Sequence, residues 1–163
     1  MESSGRNDWL ALDDDGLLKQ CRIDTCRGTG PGGQKRNKTS SMVRLLHIPS
    51  GILSENDETR SQHLNRIYAL RNLRFKLAFG LRMPAETSPI GDPPGVNSDG
   101  YALWLARILD ALEAVGYRLS EASPLTGLGT GRLVKELAKL SAVWQVVNAR
   151  RAALDLPLLK IPH

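Results

Sequence analysis

Apolar side chains recur along this chain first with period two, then at intervals of three and four, which divides it into a mixed half and a helical half. Asp13-Asp14-Asp15 ahead of Leu17-Leu18 predicts a short helix with an acidic first turn. Cys21, Ile23 and Thr25 alternate with Arg22 and Asp24, which predicts a half-buried strand. Lys38 to Ser41 can form one short turn. Met42 to Ile48 is mostly apolar, with Arg44 and His47 in it, and predicts a second strand. Pro49-Ser50-Gly51 is a hairpin turn, and Ile52 to Ser54 begins the return strand. Over 59–82, Leu64, Ile67, Leu70, Leu73, Leu77 and Leu81 form the packing stripe of a long helix. The first half is therefore expected to be α+β, a small β-sheet with packed helices.

Residues 83–99 hold four of the nine prolines with glycines and serines, the composition of a linker that lets flanking domains move. Tyr101 to Tyr117 carries Leu103, Trp104, Ile108, Leu109, Leu112 and Val115 at helical spacing. Ser123-Pro124 and Gly127 to Gly131 break that pattern. Leu133 to Leu140 and Ala142 to Leu154 predict two more helices, with Trp144, Val147 and Leu154 in the core. Gly127-Leu128-Gly129-Thr130-Gly131 fits neither a dinucleotide fingerprint nor a Walker loop, and no strand precedes it. It predicts a turn with Thr130 capping the next helix. The expected organisation is an α+β domain over 1–82, a Pro/Gly-rich linker over 83–99 and a small all-α domain over 100–163, with Leu156 to His163 as a short tail.

Charge sharpens this division. The net charge is +5. Residues 1–85 carry 14 Lys/Arg against 9 Asp/Glu, and residues 86–163 carry 8 of each. Residues 60–82 hold six cations and no acid, an asymmetry that points to nucleic acid. Apolar content of 41% is enough for a packed core and excludes disorder throughout. No apolar run is long enough to span a bilayer, so no membrane partner is expected. Met1 to Asp8 lacks the apolar segment of a signal peptide and includes acids, so a cytoplasmic location is expected. Cys21 and Cys26 lie five apart in one strand, facing opposite ways, and are expected to be reduced thiols. No metal or cofactor is expected.

The candidate chemistry lies in Arg27-Gly28-Thr29-Gly30-Pro31-Gly32-Gly33-Gln34-Lys35-Arg36-Asn37-Lys38-Thr39. Glycines allow close backbone approach to a ligand, proline stiffens the loop, and flanking cations suit a phosphate-bearing partner. The plain alternative is a glycine-rich hairpin connection with an exposed amide.

The loop resembles the catalytic Gly-Gly-Gln motif of class I peptide-chain release factors and the related factors that rescue stalled ribosomes. The likeness continues through Asn37-Lys38-Thr39, His47-Ile48-Pro49-Ser50-Gly51-Ile52, Thr59-Arg60-Ser61-Gln62-His63 and Asn65-Arg66, in order, over roughly residues 13 to 82. It implies hydrolysis of the ester joining a nascent peptide to tRNA, with Gly32, Gly33 and Gln34 as the catalytic residues. The backbone N–H of Gln34 would stabilise the charge developing in the transition state, Gly32 and Gly33 would supply the backbone shape, and the Gln34 side chain would favour water over larger nucleophiles. Ribosomal RNA and the tRNA ribose would supply the rest, which accounts for the lack of a Ser/His/Asp set or paired carboxylates in the sequence.

RNA contact is expected at Arg27, Lys35, Arg36, Asn37, Lys38, Thr39, Arg44, Arg60, Gln62, His63 and Arg66. His47 and His63 also fit ordinary histidines bonded to backbone. Arg71 and Arg74 fit either RNA contact or a solvated helix face. The partners implied are large-subunit ribosomal RNA and peptidyl-tRNA, with a protein partner for the neutral helical domain and a monomeric chain. That helical domain is expected to leave an apolar patch exposed once its three helices pack.

The resemblance has two departures. Lys35-Arg36 stands where many family members have His-Val. A neutral helical domain stands where familiar rescue factors have a basic tail. Only a dozen residues precede the likeness, so codon-independent rescue is expected, and the run from Asn37 through Thr59-Arg60-Ser61 looks closest to the branch that includes mitochondrial rescue factors. A non-catalytic rRNA-binding or adaptor module is the alternative.

Overall fold

The computed structural model describes residues 5–26 and 41–163. The chain separates into two compact units, Met1–Leu81 and Arg82–His163.

The first unit contains α1 (Arg6–Ala11), α2 (Asp14–Lys19), β1 (Cys21–Cys26), β2 (Met42–His47), β3 (Leu53–Asn56) and α3 (Gln62–Gly80). The strands form an antiparallel sheet in the order β1-β2-β3. The expected α+β class is therefore the observed one. The β2–β3 hairpin closes where Gly51 takes φ +71° and donates its N–H to the His47 carbonyl at 2.8 Å. Positive φ at this turn is what glycine supplies without strain.

Val43, Leu45 and His47 alternate on the buried face of β2. Ser54, cross-strand from Leu45, donates its Oγ hydrogen to the Ala69 carbonyl at 2.7 Å, so α3 covers this face. The buried face of α3 runs through Asn65, Ala69, Leu73 and Leu77 at spacings of four. Leu64 and Ile67 fall off that face and are 40% and 44% exposed, contrary to the expected stripe. Ile23 is also 38% exposed, because β1 is an edge strand away from the β2 and β3 surface that α3 covers.

Helix α1 has no long apolar period, and the sequence pattern does not announce it. It buries Trp9 and Leu10. Arg74, only 5% exposed, ties both short helices to α3 through the Leu12 carbonyl at 3.0 Å and Asp14 Oδ1 at 2.9 Å. This gives Arg74 a structural role.

His47 is fully buried, with its ring edge against Trp9 at 4.9 Å between centroids. Its partners are side chains rather than backbone. Nε2 donates to Gln20 Oε1 at 3.0 Å, and Nδ1 accepts from Ser50 Oγ at 2.7 Å. Burial lowers its pKa from the ordinary histidine value. The unfolded chain therefore takes up a proton more readily, and stability is lost as pH falls below about 6.5. Chemical denaturation from pH 7.5 to 5 should show this decline, and His47→Phe should flatten it.

The second unit contains α4 (Tyr101–Ala114), α5 (Leu119–Thr126), α6 (Thr130–Leu137) and α7 (Ser141–Ala153). Tyr101, Trp104, Leu105, Ile108, Leu109, Leu112, Leu133, Leu137, Val143 and Val147 form its core. Helix α5 runs through Pro124, the residue expected to break the pattern, and ends at Gly127 with φ +72°. Thr130 is the first residue of α6 and makes no cap; Gly129 holds the N-cap position without a side-chain bond. Leu154, expected in the core, is 49% exposed.

The stretch 83–99 forms neither helix nor strand, yet it is bonded along its length within this unit. Met83 N–H donates to buried Asp110 at 3.0 Å. Ile90 and Gly91 N–H groups donate to the Leu125 and Thr126 carbonyls, and Trp104 Nε1 donates to the Gly91 carbonyl at 3.0 Å. The tail is pinned too, with Leu159 N–H donating to Asn148 Oδ1 at 2.8 Å and Arg151 Nε donating to the Pro157 carbonyl at 2.9 Å. None of the described helices is long and apolar enough to cross a membrane.

Candidate functional site

Gly32, Gly33 and Gln34, and with them Arg27, Lys35, Arg36, Asn37, Lys38 and Thr39, lie outside the described residues. What is described is the frame that carries them. Segment 27–41 connects β1 to β2, and Cys26 pairs with Met42 at the last rung of the ladder. The two chain ends of the segment are therefore neighbours on adjacent antiparallel strands.

The residue leaving the segment is fixed to α3. Ser41 is 4% exposed, and its carbonyl accepts from Asn65 Nδ2 at 2.7 Å. The same nitrogen donates to the Thr59 carbonyl at 2.8 Å. Asn65 Oδ1 accepts from the Thr59 N–H and from Thr59 Oγ1, both at 2.9 Å. Ser61 completes the turn by capping α3, its side chain accepting from Leu64 N–H at 3.2 Å. One fully buried amide thus joins the end of the glycine-rich segment, the Thr59-Arg60-Ser61 turn and the start of α3.

That turn places four of the expected RNA-contact residues together. Arg60 is exposed on it, Gln62 and His63 are exposed on the first turn of α3, and Arg66 follows one turn later on the same side. Arg66 Nε is buried and has no hydrogen-bond partner among the described residues. The guanidinium charge, rather than this buried nitrogen, is what suits Arg66 to an anionic partner such as a phosphate. Arg44 is placed elsewhere. It lies on the sheet face opposite α3, with its Nε 3.2 Å from Glu55 Oε2. The structure brings Arg60, Gln62, His63 and Arg66 together and separates Arg44 from them.

If Arg60 and Arg66 meet phosphates, affinity for RNA should fall steeply with salt. Replacing both with Ala should lower the slope of log K against log salt by about 2. Titration of binding between low and physiological salt measures this.

The described residues offer little other chemistry. Both cysteines are free. Cys21 donates to the Leu17 carbonyl at 3.3 Å, and burial pushes its thiol up to about 11, so it stays protonated. No group of three or more His, Cys, Asp or Glu that could hold a metal occurs among the described residues. The residue to which pattern reading gave no role is Asn65. Its signal was available, since it is a polar residue four and eight positions before Ala69 and Leu73 on the buried helix face.

Comparison with known proteins agrees with this arrangement. Residues 17–89 match the family described as RF-1 domain. Peptide chain release factor 1-like, mitochondrial, of Rattus norvegicus is 47% identical over 70 residues, covering 43% of this chain and 18% of that protein. Peptide chain release factor 1 of Rhodospirillum rubrum is 46% identical over 68 residues, covering 42% and 19%. Peptide chain release factor 2 of Rickettsia africae is 40% identical over 81 residues, covering 50% and 22%. The chain thus spans about a fifth of the length of these relatives. Sheet, Asn65 anchor and α3 all fall inside the matched segment, and residues 17–89 are accordingly similar to the Gly-Gly-Gln-bearing RF-1 domain of class I peptide-chain release factors.

Proposed function

We propose that this protein hydrolyses the ester of peptidyl-tRNA inside a ribosomal particle, without reading a codon. The observation that carries the reading is the match of residues 17–89 to the RF-1 domain. Gly32, Gly33 and Gln34 form the catalytic loop in this reading. The Gln34 N–H aims at the carbonyl oxygen of the ester, water attacks, and the peptide acid and the tRNA ribose hydroxyl leave. A rigid backbone donor is worth about 3–4 kcal/mol to such a transition state. Arg60, Gln62, His63 and Arg66 hold RNA beside the loop, together with the cations of 27–38.

In this reading the run from Asn37 to Ser61 is taken as that of the rescue branch, which is codon-independent, and the protein acts in the cytoplasm. The helical residues 100–163 carry a protein contact in this reading. Leu154, Leu158 and Ile161 are exposed there at 49%, 59% and 71%, and residues 86–163 have no net charge to drive phosphate binding.

The alternative is an RNA-binding module without catalysis, and Gln34→Ala separates the two. The enzyme should lose much of its release activity and still bind particles. A binding module should be indifferent in both assays.

A further inference from the structure

Asn56, Glu58, Tyr68, Arg71 and Asn72 line an open pocket of about 270 Å³ in the first unit, where the end of β3 meets the side of α3. The proposed hydrolysis uses none of these residues. Asn56 is only 7% exposed. Its Oδ1 accepts from the Glu58 N–H at 3.2 Å, and its Nδ2 has no hydrogen bond among the described residues. Tyr68 is half-buried, and Asn72 lies one helical turn further on the same side. Glu58 is exposed and forms no ion pair among the described residues. Arg71 lies over Phe75, its Cζ 6.0 Å from the ring centroid, which keeps a positive charge at the rim.

We propose that this pocket takes one unpaired guanine base of RNA. An unstacked base is held by stacking on an aromatic ring and by hydrogen bonds to its edges, and Tyr68 offers the ring. Guanine presents the O6 and N7 acceptors, which suit the amide donors of Asn56 and Asn72. Its N1–H and exocyclic amino group are adjacent donors, which suit the Glu58 carboxylate. Adenine has no N1–H and presents an acceptor there, so the carboxylate is the element of choice between the purines. Arg71 supplies the charge for the flanking phosphate. The volume lies just below the range of about 300–1,000 Å³ that whole small ligands occupy, which suits one base with its sugar outside.

The inference rests on the proposed function only in taking RNA as the partner. Binding to a free oligonucleotide needs neither ribosome nor ester hydrolysis, so the two readings fail separately. The test is fluorescence anisotropy of the full chain with labelled 5′-UUGUU-3′, 5′-UUAUU-3′ and the inosine analogue of the first. The guanine oligomer should bind about tenfold or more tightly than the adenine one, with inosine between them. Glu58→Gln should abolish that preference. Tyr68→Ala should weaken guanine binding about tenfold, and Tyr68→Phe should restore it. Asn72→Ala, at an exposed position, serves as a second variant independent of folding. Equal affinity for the purine oligomers, or a preference unchanged in Glu58→Gln, would overturn the proposal. So would an arginine-bearing peptide that shifts the amide resonances of these residues when the guanine oligomer does not.

Discussion

A Gly33→Ala variant is expected to release peptide about 10²–10³-fold more slowly than the wild type and to bind ribosomal particles equally well. The loss should exceed that of Gln34→Ala. In the proposed reaction the donor is the Gln34 backbone N–H, which survives truncation of the Gln34 side chain. A Cβ at position 33 acts on the backbone itself. It restricts φ and occupies space that close approach to the ester requires. Single-turnover release from preassembled complexes separates this from a binding defect. Near-normal release by Gly33→Ala would remove the backbone-donor mechanism.

Asn65→Ala is expected to have the next largest effect, a destabilisation of the first unit by about 3 kcal/mol. The substitution deletes four hydrogen bonds and leaves the Ser41 carbonyl buried without its donor. It removes no large apolar side chain, so the loss belongs to polar satisfaction rather than to packing. The same change frees the end of segment 27–41 from α3, so release should fall even where the protein remains folded. Amide exchange at Leu45 and Leu73, both fully buried, reports the stability, and release at low temperature reports the second effect. Unchanged protection at both amides would show that the anchor contributes little.

Local patterns account for most of what could be read from the chain in advance. The β2–β3 hairpin was legible because Pro49-Ser50-Gly51 sits between apolar runs, and α3 because its leucines recur at threes and fours. Where the pattern misled, a distant partner was responsible. Leu64 and Ile67 continue the leucine spacing, but the sheet below α3 meets Asn65 and Ala69 instead. The proline-rich stretch 83–99 has a linker's composition, yet its bonds go to Asp110, Leu125 and Thr126, which no local window contains. Pro124 marked a break, but α5 tolerates it and ends only at the left-handed Gly127. The grouping of Arg60, Gln62, His63 and Arg66 was legible from their closeness in sequence at the start of one helix. Its connection to the glycine-rich segment was not, because that link passes through one buried amide and a backbone carbonyl.

The central claim is codon-independent hydrolysis of peptidyl-tRNA, and one release assay tests it most directly. Radiolabelled peptidyl-tRNA is presented on intact ribosomes halted at a stop codon, on ribosomes stalled at the end of a truncated mRNA, and on free large subunits. Wild-type protein is compared with Gly33→Ala on each. The account predicts release from at least one of the two substrates that lack a stop codon, and its loss in the variant. Release only at the stop codon, or from none of the three, would contradict it.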